Sequence, residues 1–288
     1  MQEQGNSYLI RREILSIYEG KKVLVTGAST GIGYALSEEL AKRGSEVIIT
    51  ARRRDRLEAL GQKIENAGGK AHIFIEDLSL PESGIRLYDQ IKSAGLKIDI
   101  LINNAGYGRW GELTSHDRDD YSKMLQLNIT TLTDLCHLYI PDMISQGGGG
   151  IINVGSIASL SPIPYASVYS SSKAYVLMLS EAIRYEYQDE GIKVMALLPG
   201  GTESEFASVA TEKSEILTKR YQEREGSATG SGMQTSHEVA AECLEAFEQD
   251  KQYILCGRRN RFLHVLTKFM SRQRVLAMTG KMFKAVAG

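Results

Sequence analysis

Across 288 residues the chain is 42% hydrophobic and 24% charged, and 34 Lys+Arg stand against 35 Asp+Glu for a formal net charge of −1. That composition excludes a disordered or collagen-like chain, suits one large domain or two small ones, and gives no overall attraction to nucleic acid. Three cysteines (Cys136, Cys243 and Cys256), odd in number and far apart, exclude a disulfide framework or a cysteine metal cluster and point to reduced thiols in a cytoplasmic protein.

In chain order, residues 1–19 read as an N-terminal arm without the continuous apolar core of a signal peptide. No later run reaches the roughly 18 apolar residues of a membrane span. A first strand, Val23–Thr26, stops at Gly27, and a glycine-rich loop to Gly33 leads into an amphipathic helix that Gly44 closes. Next come a strand at Glu46–Thr50, a helix at Asp55–Ala67, a strand at His72–Ile75, a helix over 81–94 and a strand at Ile98–Ile102. Tyr121–Gln146 reads as one long helix kinked at Pro141, and Gly147–Gly150 as a flexible break. A strand at Ile151–Val154, a helix at Tyr169–Asp189, a strand at Lys193–Leu198, a helix at Glu238–Phe247 and a strand at Tyr253–Leu255 complete the rhythm. Such alternation predicts an α/β fold over residues 20–257: a Rossmann-type doubly wound parallel sheet of about seven strands in three layers. Residues 203–235 interrupt the pattern and are expected to form a substrate lid. Residues 258–288 form a basic amphipathic tail with eight Lys/Arg and no Asp or Glu.

Four places along this pattern carry chemistry. Gly27, Ala28, Ser29, Thr30, Gly31, Ile32 and Gly33 lie between a strand and a helix, where glycines let the backbone approach a pyrophosphate at the helix N-terminus. The spacing, G-x3-G-x-G, is neither the G-x-G-x-x-G dinucleotide fingerprint nor a P-loop. After the second strand, where an NAD-binding unit places Asp or Glu on the ribose 2′-hydroxyl, stand Arg52 and Arg53. Arginines there suit a 2′-phosphate, which favours NADP(H) over NAD(H). Asn103, Asn104, Ala105 and Gly106 close the fourth strand, and Asp77 and Leu78 the third, at the sheet edge where ligands bind. Finally, Tyr169 and Lys173 share a helix face at i and i+4. A cation beside a phenol lowers its pKa towards neutral, which would make Tyr169 a usable proton donor.

These motifs, with Asn128, Ser156 and Pro199-Gly200 in the same order, resemble the single-domain branch of the short-chain dehydrogenase/reductase family over about residues 20–257. The resemblance implies that Tyr169 exchanges the proton with a carbonyl or alcohol oxygen and that Ser156 donates a hydrogen bond to it. It implies that Lys173 holds the nicotinamide ribose and that Asn128 supports a proton-relay water. It also implies that Thr202 and Ser204, after Pro199 and Gly200, hold the carboxamide. Two positions depart from the common pattern: Ser204 stands where threonine is usual, and Gly155 where many members have a second serine.

The expected activity is therefore an NADP-dependent oxidoreductase acting on a small-molecule carbonyl or secondary alcohol. Phe206, Val209, Ile216, Leu217 and Met233 in the lid suggest an apolar ketone or acyl-chain ketone. The alternative is a non-catalytic NADP-sensing scaffold, against which Tyr169 and Lys173 both weigh. A sugar-nucleotide epimerase would show G-x-x-G-x-x-G spacing and a larger substrate domain. The five histidines (His72, His116, His137, His237 and His264) lack metal-ligand spacing, and the only tryptophan, Trp110, should border the pocket. Family members commonly pair through long helices, so a homo-oligomer is expected. The tail could cap the cleft, meet a neighbouring subunit, or touch an anionic membrane weakly.

Overall fold

The aliphatic runs become the strands of a single sheet in a computed structural model that describes residues 16–211 and 233–287. The strands are β1 (Lys22–Thr26), β2 (Glu46–Ala51), β3 (Lys70–Ile75), β4 (Ile100–Asn103), β5 (Gly149–Val154) and β6 (Ile192–Leu198). Two short strands, β7 (Thr202–Glu203) and β8 (Gln234–Thr235), precede β9 (Tyr253–Leu255). The main sheet runs β3-β2-β1-β4-β5-β6-β9 with every neighbouring pair parallel. The order reverses between β1 and β4, which opens a crevice at the carboxyl ends of those strands.

Side chains alternate across the sheet with the period of two that a strand imposes. Val23, Val25, Val47, Ile49 and Ile102 face a core closed by α1 (Gly31–Lys42), α2 (Arg54–Asn66) and a later helix, α8 (Ser236–Glu248). Leu24, Ile48, Leu101 and Ile151 face the opposite core. That second core is closed by α3 (Ser83–Ser93), α5 (Leu132–Ser145, preceded by α4, Arg118–Leu125) and α6 (Ser167–Tyr187). Both faces are thus covered, as a parallel sheet requires. The chain also forms α7 (Phe206–Thr211) and two tail helices, α9 (Arg258–Lys268) and α10 (Arg272–Ala287).

Three expectations change. The long helix is divided, but the irregularity is a π segment at Gln126–Thr131, and α5 continues through Pro141 to Ser145. The wide turn occurs where Asn128 and Thr131 point inward: Asn128 Nδ2 donates to the Tyr107 carbonyl at 3.0 Å and Thr131 Oγ1 to the Leu78 carbonyl at 2.9 Å. Gly149 and Gly150 belong to β5, paired with Ile192 and Lys193, and are not a flexible break. A Cβ on Gly150 would lie 2.5 Å from the Phe247 ring, so the glycine admits that ring to the sheet. Tyr18, within the expected arm, is fully buried; its hydroxyl donates to the Leu244 carbonyl at 2.8 Å.

β7 and β8 pair in parallel and bracket the expected lid. Ile216 and Leu217 lie outside the described residues. Among the described residues no helix is long and apolar enough to cross a membrane.

Candidate active site

The glycine loop is held by the fourth strand's end. Asn104 Nδ2 donates to the carbonyls of Thr26 (2.8 Å) and Gly27 (3.2 Å), and the Asn104 and Ala105 amides donate to Thr26 Oγ1 at 2.9 and 3.0 Å. Gly27 has φ of 68°, and a Cβ there would sit 2.9 Å from Ala105 Cα. Gly31 has φ of 60° and would bring a Cβ to 3.2 Å from Ser204 Cβ. The loop therefore needs glycine for its left-handed turns and for its approach to the 203–205 segment. Ile32 packs against the core below and anchors the first turn of α1, whose N-cap is Thr30. Asn104 has its amide occupied in fastening this loop, a role that spacing alone did not suggest.

Arg53 Nη2 donates to Ser29 Oγ at 3.2 Å and to Thr30 Oγ1 at 3.1 Å. Its Nη1 donates to Glu205 at 2.8 Å, and Arg56 donates to the other Glu205 oxygen at 2.6 Å. The two arginines hold the Glu205 carboxyl below its ordinary range, Arg53 contributing most. Arg52 points to solvent with Asp77 3.9 Å away, and Asp77 accepts from the Ser79 hydroxyl at 2.6 Å. Leu78 is buried and offers its carbonyl to Thr131. A cavity of about 610 Å³ is lined by Ser29, Thr30, Gly31, Arg56, Ser204 and Glu205, among others. It lies over the glycine loop and away from Tyr169.

Tyr169 and Lys173 are both buried on one face of α6. Burial pushes the Tyr169 hydroxyl up to about 12, and a hydrogen bond with the Ser156 side chain pulls the other way. Burial brings Lys173 down to about 8. Its Nζ donates to the Val154 carbonyl at 2.8 Å. The expected shift of the phenol towards neutrality is thus not what this geometry gives: desolvation dominates, and the ammonium is aimed at the end of β5. Ser156 is the N-cap of a 3-10 turn at Ile157–Leu160, where its Oγ accepts from the Ala158 amide at 3.1 Å. Ser159 completes the cap and donates to the Lys173 carbonyl at 2.7 Å, tying the serine turn to α6.

Asn128 is fully buried beside this group. It accepts from the Tyr107 amide at 3.2 Å and donates to the Tyr107 carbonyl and, at 3.1 Å, to Ser172 Oγ. A Cβ on Gly106 would meet Asn128 Oδ1 and Lys173 Nζ at 3.1 Å each. Gly106 is therefore the small residue that lets both polar groups crowd one point. After β6, Pro199 accepts from the Ile157 amide at 2.9 Å, and Thr202 Oγ1 donates to the Gly200 carbonyl at 3.2 Å. Ser204 Oγ donates to the Thr202 carbonyl at 3.4 Å and accepts from the Phe206 amide at 3.3 Å. The two hydroxyls thus stay within their own turn, against Gly31.

Several residues that line this region carried no motif. The Phe206 ring lies 5.4 Å from that of Tyr169, and both would touch a Cβ on Gly108 at 3.2 Å. Trp110 meets Phe283 of α10 edge-on at 6.0 Å, and Ile163, Ala166 and Met124 fill the same apolar cluster as Tyr169. Beneath the strand ends, Asn103 donates to Asn153 at 2.9 Å and Asn153 to Ser180 at 3.0 Å, pinning β4, β5 and α6 together. Paired asparagines at strand ends were the available signal. Among the described residues no group of three His, Cys, Asp or Glu side chains could hold a metal ion.

The family model described as short chain dehydrogenase matches residues 21–215. Very-long-chain 3-oxoacyl-CoA reductase-B of Danio rerio is 32% identical over 233 residues, which cover 78% of this chain and 73% of that protein. A short-chain dehydrogenase from Sphingobium yanoikuyae, solved in complex with NADPH, superposes with a TM-score of 0.72 at 29% identity, covering 82% of this chain and 87% of that one. A Burkholderia phymatum short chain dehydrogenase/reductase in complex with NAD shares the fold at a TM-score of 0.73 and 24% identity, over 83% of this chain and 89% of its own.

Proposed function

The chain belongs to the short chain dehydrogenase family of oxidoreductases, and from that premise we propose that it uses NADP(H) to move a hydride to or from the carbon of an apolar ketone or secondary alcohol. The observation that carries the reading is the burial of Tyr169 and Lys173 on one face of α6, with the Ser156 turn tied to that helix by Ser159 Oγ on the Lys173 carbonyl at 2.7 Å.

The loop at Gly27–Gly33 fits a dinucleotide, because its left-handed glycines at 27 and 31 turn the backbone tightly at the start of α1, where Ser29, Thr30 and Gly31 line the cavity of about 610 Å³. When bound, the dinucleotide supplies the hydride in reduction and accepts it in oxidation. Tyr169, protonated across the neutral range, gives its hydroxyl proton to the carbonyl oxygen. Ser156 donates a second hydrogen bond to that oxygen and so stabilises the charge that grows there. Lys173 and Asn128 meet at Gly106; Lys173 would hold ribose hydroxyls, and Asn128 would position a water that returns a proton to Tyr169. Gly106, Asn104, Ala105, Asp77, Leu78, Pro199, Gly200, Thr202 and Ser204 would hold the dinucleotide.

Arg53 and Arg52 would take a 2′-phosphate, since no carboxylate belongs to the β2 tip to claim a 2′-hydroxyl. The apolar cluster of Phe206, Trp110, Ile163 and Phe283 around Tyr169 supports an apolar substrate. The Danio rerio relative, named for 3-oxoacyl-CoA, supports an acyl-chain ketone. Exposed Tyr175, Met178 and Tyr185 along α6 support a homo-oligomer paired on that helix, and three buried free thiols support a reducing, cytoplasmic setting. NADPH oxidation followed over a panel of acyl-chain and cyclic ketones, with NADH and Tyr169→Phe alongside, tests the reading. Turnover with NADPH that disappears in the variant is expected. NADPH binding with no turnover on any ketone would replace the reductase by the sensing scaffold.

A further inference from the structure

The tail presents two unlike sides. On its inner side, Val275 is buried, Thr279 Oγ1 donates to the Pro162 carbonyl at 3.4 Å, and Phe283 packs on Trp110. These contacts seat α10 on the loop beside Tyr169. On the outer side, α9 has no buried residue: Phe262 is 64% exposed and Phe269, just past the helix, 86%. Leu263, Val265, Leu266 and, on α10, Met278 are exposed as well. Residues 262, 265, 266 and 269 follow the i, i+3, i+4, i+7 spacing of one helical face. Eight Lys/Arg and no acid lie in residues 258–288, while the remaining 257 residues carry 26 basic and 35 acidic groups, a net of −9.

We propose that the α9 face of Phe262, Val265, Leu266 and Phe269 rests on an anionic lipid bilayer, with Phe262 and Phe269 in the acyl boundary and the basic side chains at the level of the headgroups. The charge pattern selects that occupant. An uninterrupted basic segment with bulky apolar residues between the cations is what an interfacial helix needs, since burial of the apolar face and attraction to anionic lipid add together. A second copy meeting the same patch across a two-fold axis would bring two like-charged tails together, with no acid in either tail to separate them. The inference does not depend on the reductase reading, because neither Phe262 nor Phe269 touches the glycine loop or Tyr169.

The test is sedimentation of the full chain with vesicles of phosphatidylcholine alone and of phosphatidylcholine with about one third phosphatidylglycerol. At least tenfold stronger binding to the anionic vesicles is expected, weakening as salt is raised. Phe262→Ser with Phe269→Ser, both exposed and so neutral to folding, should lower binding at least tenfold and leave any turnover of a water-soluble ketone unchanged. Equal binding to both vesicle types, no sedimentation with either, or a double variant that sediments like wild type would overturn the proposal. So would a smaller particle mass for the double variant in analytical ultracentrifugation, which would assign the face to a second copy. Vesicle binding without any NADPH turnover would sink the reductase reading and leave this one standing.

Discussion

Glu205 holds Arg53 across 2.8 Å, and the same guanidinium reaches Ser29 and Thr30 of the glycine loop. A carboxylate just after β7 thus occupies the arginine that would take a 2′-phosphate, with Arg56 on its other oxygen. A 2′-phosphate and Glu205 compete for one cation. Glu205→Gln should therefore lower the KM for NADPH about threefold to tenfold and leave that for NADH unchanged, the modest size following from a half-exposed pair. Arg53→Ala should raise the NADPH constant roughly tenfold to a hundredfold without affecting NADH. Equal shifts for both nucleotides would remove Arg53 from phosphate recognition.

Tyr169→Phe keeps the ring against Phe206 and Gly108 and removes only the hydroxyl. Its kcat should fall by about a thousandfold or more, with NADPH affinity within a factor of about three of wild type. Ser156→Ala should cost on the order of a hundredfold in kcat. Stopped-flow hydride transfer and fluorescence titration of NADPH separate the two quantities.

Lys173 makes stability depend on pH. In the unfolded chain it keeps its proton to 10.5, whereas in the folded protein burial releases it at about 8. The unfolded state binds more protons between those values, so stability rises with pH across that window. Tyr169 acts in the opposite sense, but only above its ordinary 10.0, because its folded value is raised to about 12. Burial also raises the thiols of Cys136, Cys243 and Cys256, which oppose the rise from about their ordinary 9.0 upward, so the lysine is read as a difference between two proteins that share them. Guanidinium unfolding of cofactor-free wild type and Lys173→Met between about pH 8 and pH 10 should show wild type gaining stability relative to the variant; a constant difference would assign the pH dependence to other groups.

Asn128 binds three partners from a fully buried position. Asn128→Ala takes the side-chain partner from the Tyr107 amide and carbonyl, while Ser172 Oγ keeps its bond to the Tyr169 carbonyl, and should cost about 1–3 kcal/mol of stability. Activity at a temperature where the variant remains folded should also fall. Unfolding curves that shift while kcat stays constant would make Asn128 a structural residue only.

Much of the fold could be read from the chain because it is written in local periodicity. Apolar runs alternate with amphipathic helices, and Tyr169 and Lys173 share a face by spacing alone. The π segment is not legible in the chain because one extra residue in a helical turn barely disturbs a 3.6-residue pattern, whereas Pro141 is a visible irregularity. Gly149 and Gly150 read as a break because their place in β5 depends on Phe247, nearly 100 residues on. Arg53 and Glu205 are 152 positions apart, and no local pattern announces their pairing. The Tyr169 pKa departs from what its spacing implies for a related reason. Neighbourhood with Lys173 is a property of one helix, whereas the desolvation that outweighs it comes from Phe206 and the rest of the cluster.

Trp110 is the sole indole of the protein, and it stands between the last helix and the apolar cluster of the phenol. All long-wavelength intrinsic emission therefore originates at a single point. Unseating of α10 would expose that indole and move its emission to the red, while the seven-stranded sheet stayed intact. The fluorophore that reports whether the tail is seated is already part of the chain, so the seating can be read with no label attached.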